Sequence, residues 1–297
     1  MVPEGVAGPT DLGRLLEAAG YLPDTGVATA AYLALALPRP LLLEGDAGVG
    51  KTSLAAALAQ VLGARLLRLQ CYEGIDVSQA LYDWDFPRQL LHLRAAEAAG
   101  VQDADALEAE VWSRRFLLAR PLLAALETSP SVLLVDEVDR ADDEFEAFLL
   151  EVLSDYSVTV PELGTVRAEV PPVVVLTSNR TREVHDALKR RCLYHWVQHP
   201  SFEREVEIVR RRVPEASGLL AEQVAAASQA LRGEDLLKPP GVAESIDWAQ
   251  ALVALGASRL DTDTATATLG AVLKYREDQE RAQRVDVGVL VARAVLG

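Results

Sequence analysis

Cysteine, positive charge and long apolar runs are all scarce in this sequence. Only two cysteines, Cys71 and Cys192, occur in 297 residues. Because this is too few for a disulfide framework, a reducing cytoplasm is the expected compartment. The 29 lysines and arginines face 44 aspartates and glutamates, leaving a net charge of −15. That sign does not favour nucleic acid as a partner.

Membrane features are also lacking. The longest apolar segment, about Val27–Leu37, is too short to span a bilayer. The N-terminus has no basic region followed by an apolar core, which a secretory signal would need. We therefore expect neither a membrane anchor nor a membrane partner.

What the chain does contain is a long alternation of strand and helix patterns, followed by helices alone. Half of the residues are apolar, and the length allows two domains. Alternating strands and helices predict an α/β fold, a parallel sheet with helices on both faces. The predicted strands are Leu41–Glu44, Arg65–Gln70, Ser131–Val135, Val173–Thr177 and Leu193–Val197, with a β-hairpin over Tyr156–Ala168.

Helices are expected from apolar residues at a 3.6-residue spacing. Within the α/β part they are Asp11–Ala19, Val27–Leu37, Lys51–Leu62, Leu90–Ala99, Val111–Leu126 and Asp142–Ser154. The C-terminal series is Phe202–Arg212, Leu219–Leu231, Val242–Leu255, Thr264–Leu273 and Val285–Leu296. The predicted domains are therefore an αβα core over residues 1–200 and an all-helical domain over residues 201–297.

A glycine-rich stretch between the first predicted strand and the next helix matches a phosphate-binding loop. The pattern is glycine, four residues, glycine, lysine, then serine or threonine, and the candidate binding residues are Gly45, Asp46, Ala47, Gly48, Val49, Gly50, Lys51, Thr52 and Ser53. A glycine turn at a helix N-terminus aims backbone N–H groups at phosphate. Lys51 can then reach the β- and γ-phosphates of a nucleoside triphosphate, and the Thr52 hydroxyl can bind Mg²⁺. The alternative is a strand-to-helix turn with a chance lysine.

Two carboxylates follow an unbroken apolar strand, at Asp136 and Glu137. In a phosphate-loop fold such a strand delivers an acid beside the bound nucleotide. Asp136 would hold Mg²⁺, directly or through water, and Glu137 would act as the general base on the attacking water. The alternative is that two acids simply begin a loop.

Together these motifs resemble those of an AAA+ ATPase, and more closely those of its MoxR branch. The resemblance extends from about Tyr21 to the helical tail, and it depends on Gly45–Thr52, Val132–Arg140, Val160–Arg167 and Leu176–Asn179. It implies a phosphate-loop core followed by a helical lid, ATP and Mg²⁺ as cofactors, and hydrolysis in a ring of subunits, expected to be a hexamer. Within the branch, Lys238–Trp248 resembles the group associated with maturation of a carbon monoxide dehydrogenase.

The resemblance also implies roles for three residues beyond these two motifs. Asn179 would sense the γ-phosphate, although it could instead be a helix cap or turn residue. Arg191, or else Arg190, would be an arginine finger that serves the neighbouring subunit's nucleotide. For these two arginines the alternative is a solvated basic helix end.

One departure from the family is plain. The lid usually supplies an arginine at the start of a helix, but the comparable stretch, Pro240–Ser245, contains none. An insert-like segment with Tyr82, Trp84 and Phe86 could contact a client, or it could be stapled onto its own domain.

The expected function is chaperone-like remodelling or metal-cofactor insertion for a client enzyme, driven by ATP hydrolysis. A protein with a von Willebrand factor A domain is a possible partner, because such ATPases often act beside one. Two rival functions stay open. One is an ATP-gated adaptor with little turnover, motivated by the missing lid arginine. The other is a DNA-remodelling or clamp-loader-like ATPase, suggested by the Arg191–Cys192 pair and opposed by the net charge.

Overall fold

The structure is a computed structural model, and it describes residues 2–101 and 103–284. The helix predicted over Val285–Leu296 lies outside these residues. Within them, no helix is both long enough and apolar enough to cross a membrane.

The described chain forms a five-stranded sheet in which each adjacent pair of strands is parallel. Helices cover both sides of the sheet, as the alternating pattern predicts. The strand order is β2-β5-β8-β1-β9. These strands are β1 (Leu41–Glu44), β2 (Arg65–Gln70), β5 (Ser131–Asp136), β8 (Val173–Ser178) and β9 (Leu193–Trp196).

The central strands are buried because their residues are apolar in unbroken runs. Every residue of β1, β5 and β8 is buried. Strand β2 differs, because only Leu67 and Leu69 of it are buried and its other residues are exposed or half-buried. Polar side chains can therefore stand on the outer face of β2 near its end.

The helices around the sheet and in the C-terminal part begin mostly at the caps that the sequence suggests. Aspartate or serine side chains accept N–H bonds at the starts of many of them, as at Asp24, Asp142, Ser201 and Ser217. The helices are α1 (Pro9–Ala18), α2 (Thr25–Ala36), α3 (Lys51–Val61), α4 (Val77–Ala80), α5 (Phe86–Ala98), α6 (Ala104–Val111), α7 (Pro121–Glu127), α8 (Asp143–Asp155), α9 (Asp186–Arg191), α10 (Phe202–Arg212), α11 (Gly218–Arg232), α12 (Val242–Ala254), α13 (Thr262–Val272) and α14 (Arg276–Arg284).

The prediction of one helix over Val111–Leu126 is wrong. Helix α6 ends at Val111, a 3₁₀ turn covers Arg114–Phe116, and a short strand, β4 (Leu117–Ala119), precedes α7. Pro121 explains why α7 starts where it does, because proline is tolerated at the first position of a helix and disfavours a helical conformation in the residue before it. The apolar spacing persisted across these elements without a continuous helix.

The segment before α5 contains a short helix and a short strand. Asp76 and Gln79 form a capping box on α4, and β3 (Tyr82–Trp84) pairs antiparallel with β4. Trp84 is buried and meets Trp112 edge to face, with ring centroids 5.1 Å apart. Tyr82 packs against the same core, so both residues staple the segment to its own domain, whereas the Phe86 side chain is 58% exposed.

The predicted β-hairpin is confirmed. Strands β6 (Ser157–Val160) and β7 (Gly164–Arg167) pair antiparallel. Gly164 begins β7 directly after the turn and has a φ of +82°, a conformation that glycine adopts without strain.

The C-terminal helices bury a core of their own, which includes Trp248, Leu252 and Leu269. An ion pair stabilises this core, because Arg232 donates both to Glu205 Oε2 at 2.7 Å and to Glu205 Oε1 at 2.6 Å. Glu205 is fully buried, so the bidentate partner satisfies a charge that would otherwise be costly.

The described chain divides into two compact units. One comprises residues up to Glu44 together with Thr52–Trp196, and the other comprises Gly45–Lys51 together with the residues from Val197 onward. The boundary at residue 200 between a core and a helical domain stays a prediction.

Candidate functional site

The candidate phosphate loop follows β1 and ends where α3 begins. Gly48 has a φ of +79°, a conformation that residues with a Cβ rarely adopt. A Cβ at Gly48 would also lie 2.7 Å from Glu244 Oε2. The loop is therefore built for glycine at this position, for both conformational and spatial reasons.

Lys51 is buried within its unit, with its ammonium group on the loop's own backbone. Its Nζ donates to Gly45 O and to Asp46 O, both at 2.7 Å. The lysine thus lies along the loop that precedes it, at the N-terminus of α3. Thr52 is the next residue, so its hydroxyl group directly follows the loop.

The Thr52 hydroxyl lies on the first of the two predicted acids. Thr52 Oγ1 donates to Asp136 Oδ1 at 3.0 Å, and Thr177 Oγ1 donates to the same oxygen. Asp136 ends β5 and is buried. The structure therefore brings together the two residues predicted to bind Mg²⁺.

Glu137 has a strained backbone conformation directly after β5. Its φ is +55° and its ψ is +49°, in the left-handed region. Because a residue with a side chain adopts this region at a cost, it is held there by the structure around it. One such support is its N–H, which donates to Thr177 Oγ1 at 2.9 Å.

Two amides contact the Glu137 carboxylate from either side. Asn179 Nδ2 donates to Oε1 at 3.4 Å, and Gln70 Nε2 donates to Oε2 at 3.0 Å. Arg140 lies near the second oxygen as well, with its NH1 group 3.5 Å away. The predicted sensor and the predicted general base are thus adjacent.

A buried aspartate positions the backbone that carries Asn179. Asp139 accepts the N–H of Asn179 at 3.2 Å and the N–H of Thr181 at 2.8 Å. The Thr181 hydroxyl donates to the same carboxylate at 2.7 Å. These bonds connect the segment after β8 to the segment after β5. The position of Asn179 is therefore set by main-chain bonds as well as by its side chain.

Four residues that the sequence did not single out also contact the two acids. They are Gln70, Thr177 and Arg140, together with Arg68, whose NH2 group lies 2.6 Å from Asp136 Oδ2. Arg68 and Gln70 alternate with buried leucines near the end of β2. The sequence shows that these two polar residues alternate with leucines in β2. It does not show that they lie beside the two acids, because that depends on the pairing of β2 with β5.

The two predicted finger arginines lie elsewhere in the fold. They end α9, and their main-chain carbonyls accept bonds from the guanidinium of Arg39, which is two residues before β1. The acids follow the opposite, carboxyl end of the parallel sheet. Both arginine side chains are exposed, and within residues 2–101 and 103–284 no ion pair of either is observed.

The start of α12 contacts the phosphate loop, within the second unit. The N–H groups of Val242 and Ala243 donate to Gly48 O at 3.1 and 3.2 Å. Glu244 accepts the N–H of Gly241 at 2.9 Å. The stretch in which a family arginine is missing therefore meets the loop through its backbone.

One titratable side chain also meets this loop. His199 Nε2 lies 3.3 Å from Asp46 Oδ2. Burial lowers the pKa of His199, and the nearby Arg232 charge lowers it further. We therefore expect this imidazole to be neutral at pH 7.

Cys71 is adjacent to Asp136 through its main chain. Its N–H donates to Asp136 O at 2.9 Å. Burial raises the pKa of the Cys71 thiol to about 12, with the charge of Asp136 adding to the effect. The thiol is therefore protonated at physiological pH and is a poor nucleophile.

The polar groups of the candidate site fit Mg²⁺ and a nucleotide. Mg²⁺ prefers hard oxygen ligands, and the Thr52 hydroxyl and the Asp136 carboxylate are adjacent oxygen groups of that type. The positive-φ glycine, the lysine and the helix start fit a chain of phosphate groups.

Comparison with known proteins assigns the chain to a family. Residues 40–192, just over half of the chain, match the family model of the AAA domain, dynein-related subfamily. The chain therefore belongs to the AAA family. A curated relative is Midasin from Giardia intestinalis, 48% identical over 48 residues, which are 16% of this chain and 1% of Midasin.

Solved structures of AAA proteins resemble the chain at low identity. The Thermotoga maritima RuvB Holliday junction branch migration motor is 18% identical, with a TM-score of 0.47 over 88% of this chain and 68% of that one. Domain III of the replication initiation protein DnaA from Thermotoga maritima is 15% identical, with a TM-score of 0.49 over 88% of this chain and 97% of that one.

Proposed function

We propose that the chain is an ATP hydrolase of the MoxR type that acts as a ring oligomer. The observation that carries the proposal is the convergence of Thr52, Asp136, Glu137 and Asn179 at the carboxyl ends of β5 and β8. A hydroxyl and a carboxylate for Mg²⁺ stand next to a carboxylate and an amide for water. That set of groups suits in-line attack on a γ-phosphate.

Each residue has a separate task in this proposal. The loop from Gly45 to Ser53 binds the phosphates, with Lys51 as its cation. Mg²⁺, when bound, neutralises charge on the phosphate oxygens. Thr52 and Asp136 hold the ion, Glu137 takes a proton from the attacking water, and Asn179 orients that water and the γ-phosphate.

Arg191 is proposed to complete the site of a neighbouring subunit, with Arg190 as the second choice. Both side chains are exposed at the end of α9, at the sheet edge away from the acids of their own chain. An exposed guanidinium with its backbone fixed by Arg39 is suited to reach another molecule. It would spread positive charge over the transferring phosphoryl group.

The ring is proposed to be a hexamer, with residues 201–297 as its lid domain. The free-energy difference between ATP and ADP states would drive remodelling of a client enzyme, or insertion of its metal cofactor. The resemblance of Lys238–Trp248 supports a carbon monoxide dehydrogenase as one such client. A von Willebrand factor A domain protein is the proposed partner, and the cytoplasm the proposed compartment.

The proposal predicts phosphate release from Mg-ATP by the purified chain. We expect saturable hydrolysis that is lost with Lys51→Ala, because the loop loses the cation it presents to the phosphates. Removal of Mg²⁺ with EDTA should abolish it as well. Absence of hydrolysis at every protein concentration, both alone and with its partner, would contradict the proposal.

In place of an arginine, we propose that the lid contacts the loop through the backbone at the start of α12. A Cβ at Gly241 would lie 2.5 Å from Ala47 O and 2.9 Å from Gly48 Cα. Gly241→Ala should therefore displace the loop at a strain of about 1–3 kcal/mol. If this strain energy is lost from the free energy of nucleotide binding, the affinity falls by about 5- to 150-fold. A fluorescent ATP analogue measures that change.

Gly270→Ala is the matched control for this substitution. A Cβ at Gly270 would meet only Gln279 Nε2, at 3.7 Å, which is ordinary contact. Gly270 lies inside α13, where alanine is favourable. Equal affinity of the Gly241→Ala and Gly270→Ala proteins would show that the backbone contact does not influence nucleotide binding.

The missing lid arginine also favours a second function, an ATP-gated adaptor with little turnover. Pro240–Ser245 brings backbone and Glu244 to the loop, but no cation. In an adaptor, Glu137→Gln should leave nucleotide-dependent partner binding almost unchanged, because that function does not need hydrolysis. In a motor, the substitution should trap the protein in its ATP-bound state, so Glu137→Gln separates the two functions.

A further inference from the structure

Arg68 contacts the carboxylate that is proposed to hold Mg²⁺. Its NH2 group lies 2.6 Å from Asp136 Oδ2. Thr177 donates to the other oxygen, Oδ1, and the Thr52 hydroxyl lies nearer to Oδ1, at 3.0 Å, than to Oδ2, at 3.4 Å. The Asp136 side chain is 4% exposed and the Arg68 side chain is 54% exposed. The acid is therefore fixed in the fold, while the guanidinium has solvent into which it can move.

The same guanidinium also reaches the second acid, through one amide. Arg68 NH2 donates to Gln70 Oε1 at 2.7 Å, and Gln70 Nε2 donates to Glu137 Oε2 at 3.0 Å. The cation accounts for this amide orientation, because the carbonyl oxygen faces the positive charge and the NH₂ group faces the carboxylate. One arginine thus positions both acids.

A metal ion at Asp136 would place a second cation beside this guanidinium. Positive charges that share one buried carboxylate repel each other, and the repulsion is larger in a partly buried site than in water. Since the arginine cannot lose its proton, it must move away instead. Binding of the ion and contact of Arg68 with Asp136 are therefore opposed.

We propose that Arg68 is a positioning residue that competes with Mg²⁺ for Asp136 and so sets the Mg²⁺ concentration at which nucleotide binds. The inference rests on the proposed function, because it takes Thr52 and Asp136 as the ligands of the ion. When Arg68 leaves Asp136, Gln70 loses the cation that orients it, and its bond to Glu137 weakens. Arrival of the metal is thereby linked to release of the general base.

The test is a Mg²⁺ titration at a fixed concentration of a fluorescent, slowly hydrolysed ATP analogue. Arg68→Met should lower the half-saturating Mg²⁺ concentration about tenfold, the size of effect expected when one charge interaction of a partly buried site is removed. Arg68→Lys, which keeps the charge, should stay near the wild type. Arg65→Met is the matched control, because Arg65 is an exposed arginine on the same strand.

Thermal unfolding in EDTA gives a readout that does not depend on turnover. Loss of the arginine leaves the buried Asp136 charge without its cation, so Arg68→Met should unfold at a lower temperature than Arg65→Met. Addition of Mg²⁺ and nucleotide should then raise its unfolding temperature by more than it raises that of the wild type. Arg68→Gln, which keeps a hydrogen-bond donor, serves if the methionine variant does not fold.

The outcomes separate this inference from the proposed function. If the wild type binds no nucleotide at any Mg²⁺ concentration, both fail. If the wild type binds and the Arg68→Met titration coincides with it, only the role of Arg68 fails. A higher Mg²⁺ requirement in Arg68→Met would also overturn it, because the arginine would then assist metal binding.

Discussion

Glu137→Gln is expected to lower ATP hydrolysis by about 10²–10⁴-fold, the usual contribution of a general base. Binding of Mg-ATP should persist, because Asp136 and Thr52 are unchanged and the single carbonyl oxygen of the glutamine amide can still accept one of the two bonds that Asn179 and Gln70 donate to Glu137. The measurements are single-turnover phosphate release and binding of an ATP analogue.

Two further variants show whether the effect belongs to the proposed base. Asp136→Asn should instead weaken binding of Mg²⁺ and nucleotide, because the ion loses a charged ligand. Glu144→Gln, an exposed acid in the first turn of α8, should leave both quantities unchanged. A Glu137→Gln protein that hydrolyses ATP at the wild-type rate would eliminate the motor and favour the adaptor.

Arg191→Ala is expected to lower hydrolysis by about 10³–10⁵-fold, the range measured for arginine fingers. Affinity for nucleotide should change little, because the side chain stabilises the transition state and not the ground state. Arg190→Ala should have a smaller effect. Arg212→Ala, an exposed arginine at the end of α10, is the control for loss of one positive charge.

Mixing two inactive proteins distinguishes a finger in trans from one in cis. Arg191→Ala subunits keep an intact phosphate loop and an intact Glu137, and Glu137→Gln subunits bind nucleotide and keep an intact Arg191. In mixed rings the second kind can supply its arginine to the first, so hydrolysis should reappear on mixing. If it does not, and each protein still forms oligomers alone, Arg191 does not act between subunits.

The parts of the fold that were predictable from the sequence are those in which local signals agree. Strands β1, β5 and β8 are unbroken apolar runs bounded by glycine, proline or acidic residues, and each was located to within about a residue or two. The proximity of Asp136, Glu137 and Asn179 also followed, because the carboxyl ends of neighbouring parallel strands meet at one edge.

Other features depend on contacts that no local pattern encodes. The role of Arg68 and Gln70 requires that β2 lie beside β5, and strand order is a property of the whole chain. The run Val111–Leu126 misled because 3.6-residue spacing survived across a turn and a short strand. Pro121 was a local signal that a helix begins there and that no helix continues through it.

The burial of Trp84 also depends on a contact that is distant in sequence. Trp84 packs against Trp112, and helices α5 and α6 lie between these two residues in the chain. The sequence alone therefore does not show that Trp84 is buried. Phe86 opens α5 and is exposed, and the sequence did not distinguish the two.

The most direct test of the account is the solution mass of the Glu137→Gln protein, measured by light scattering with and without Mg-ATP. The account predicts growth from a small species to about six subunits when Mg-ATP is added, because trapped nucleotide stabilises interfaces that share Arg191. Lys51→Ala in the same background should prevent this growth, and Arg191→Ala should weaken it. A monomer under every condition would contradict the account.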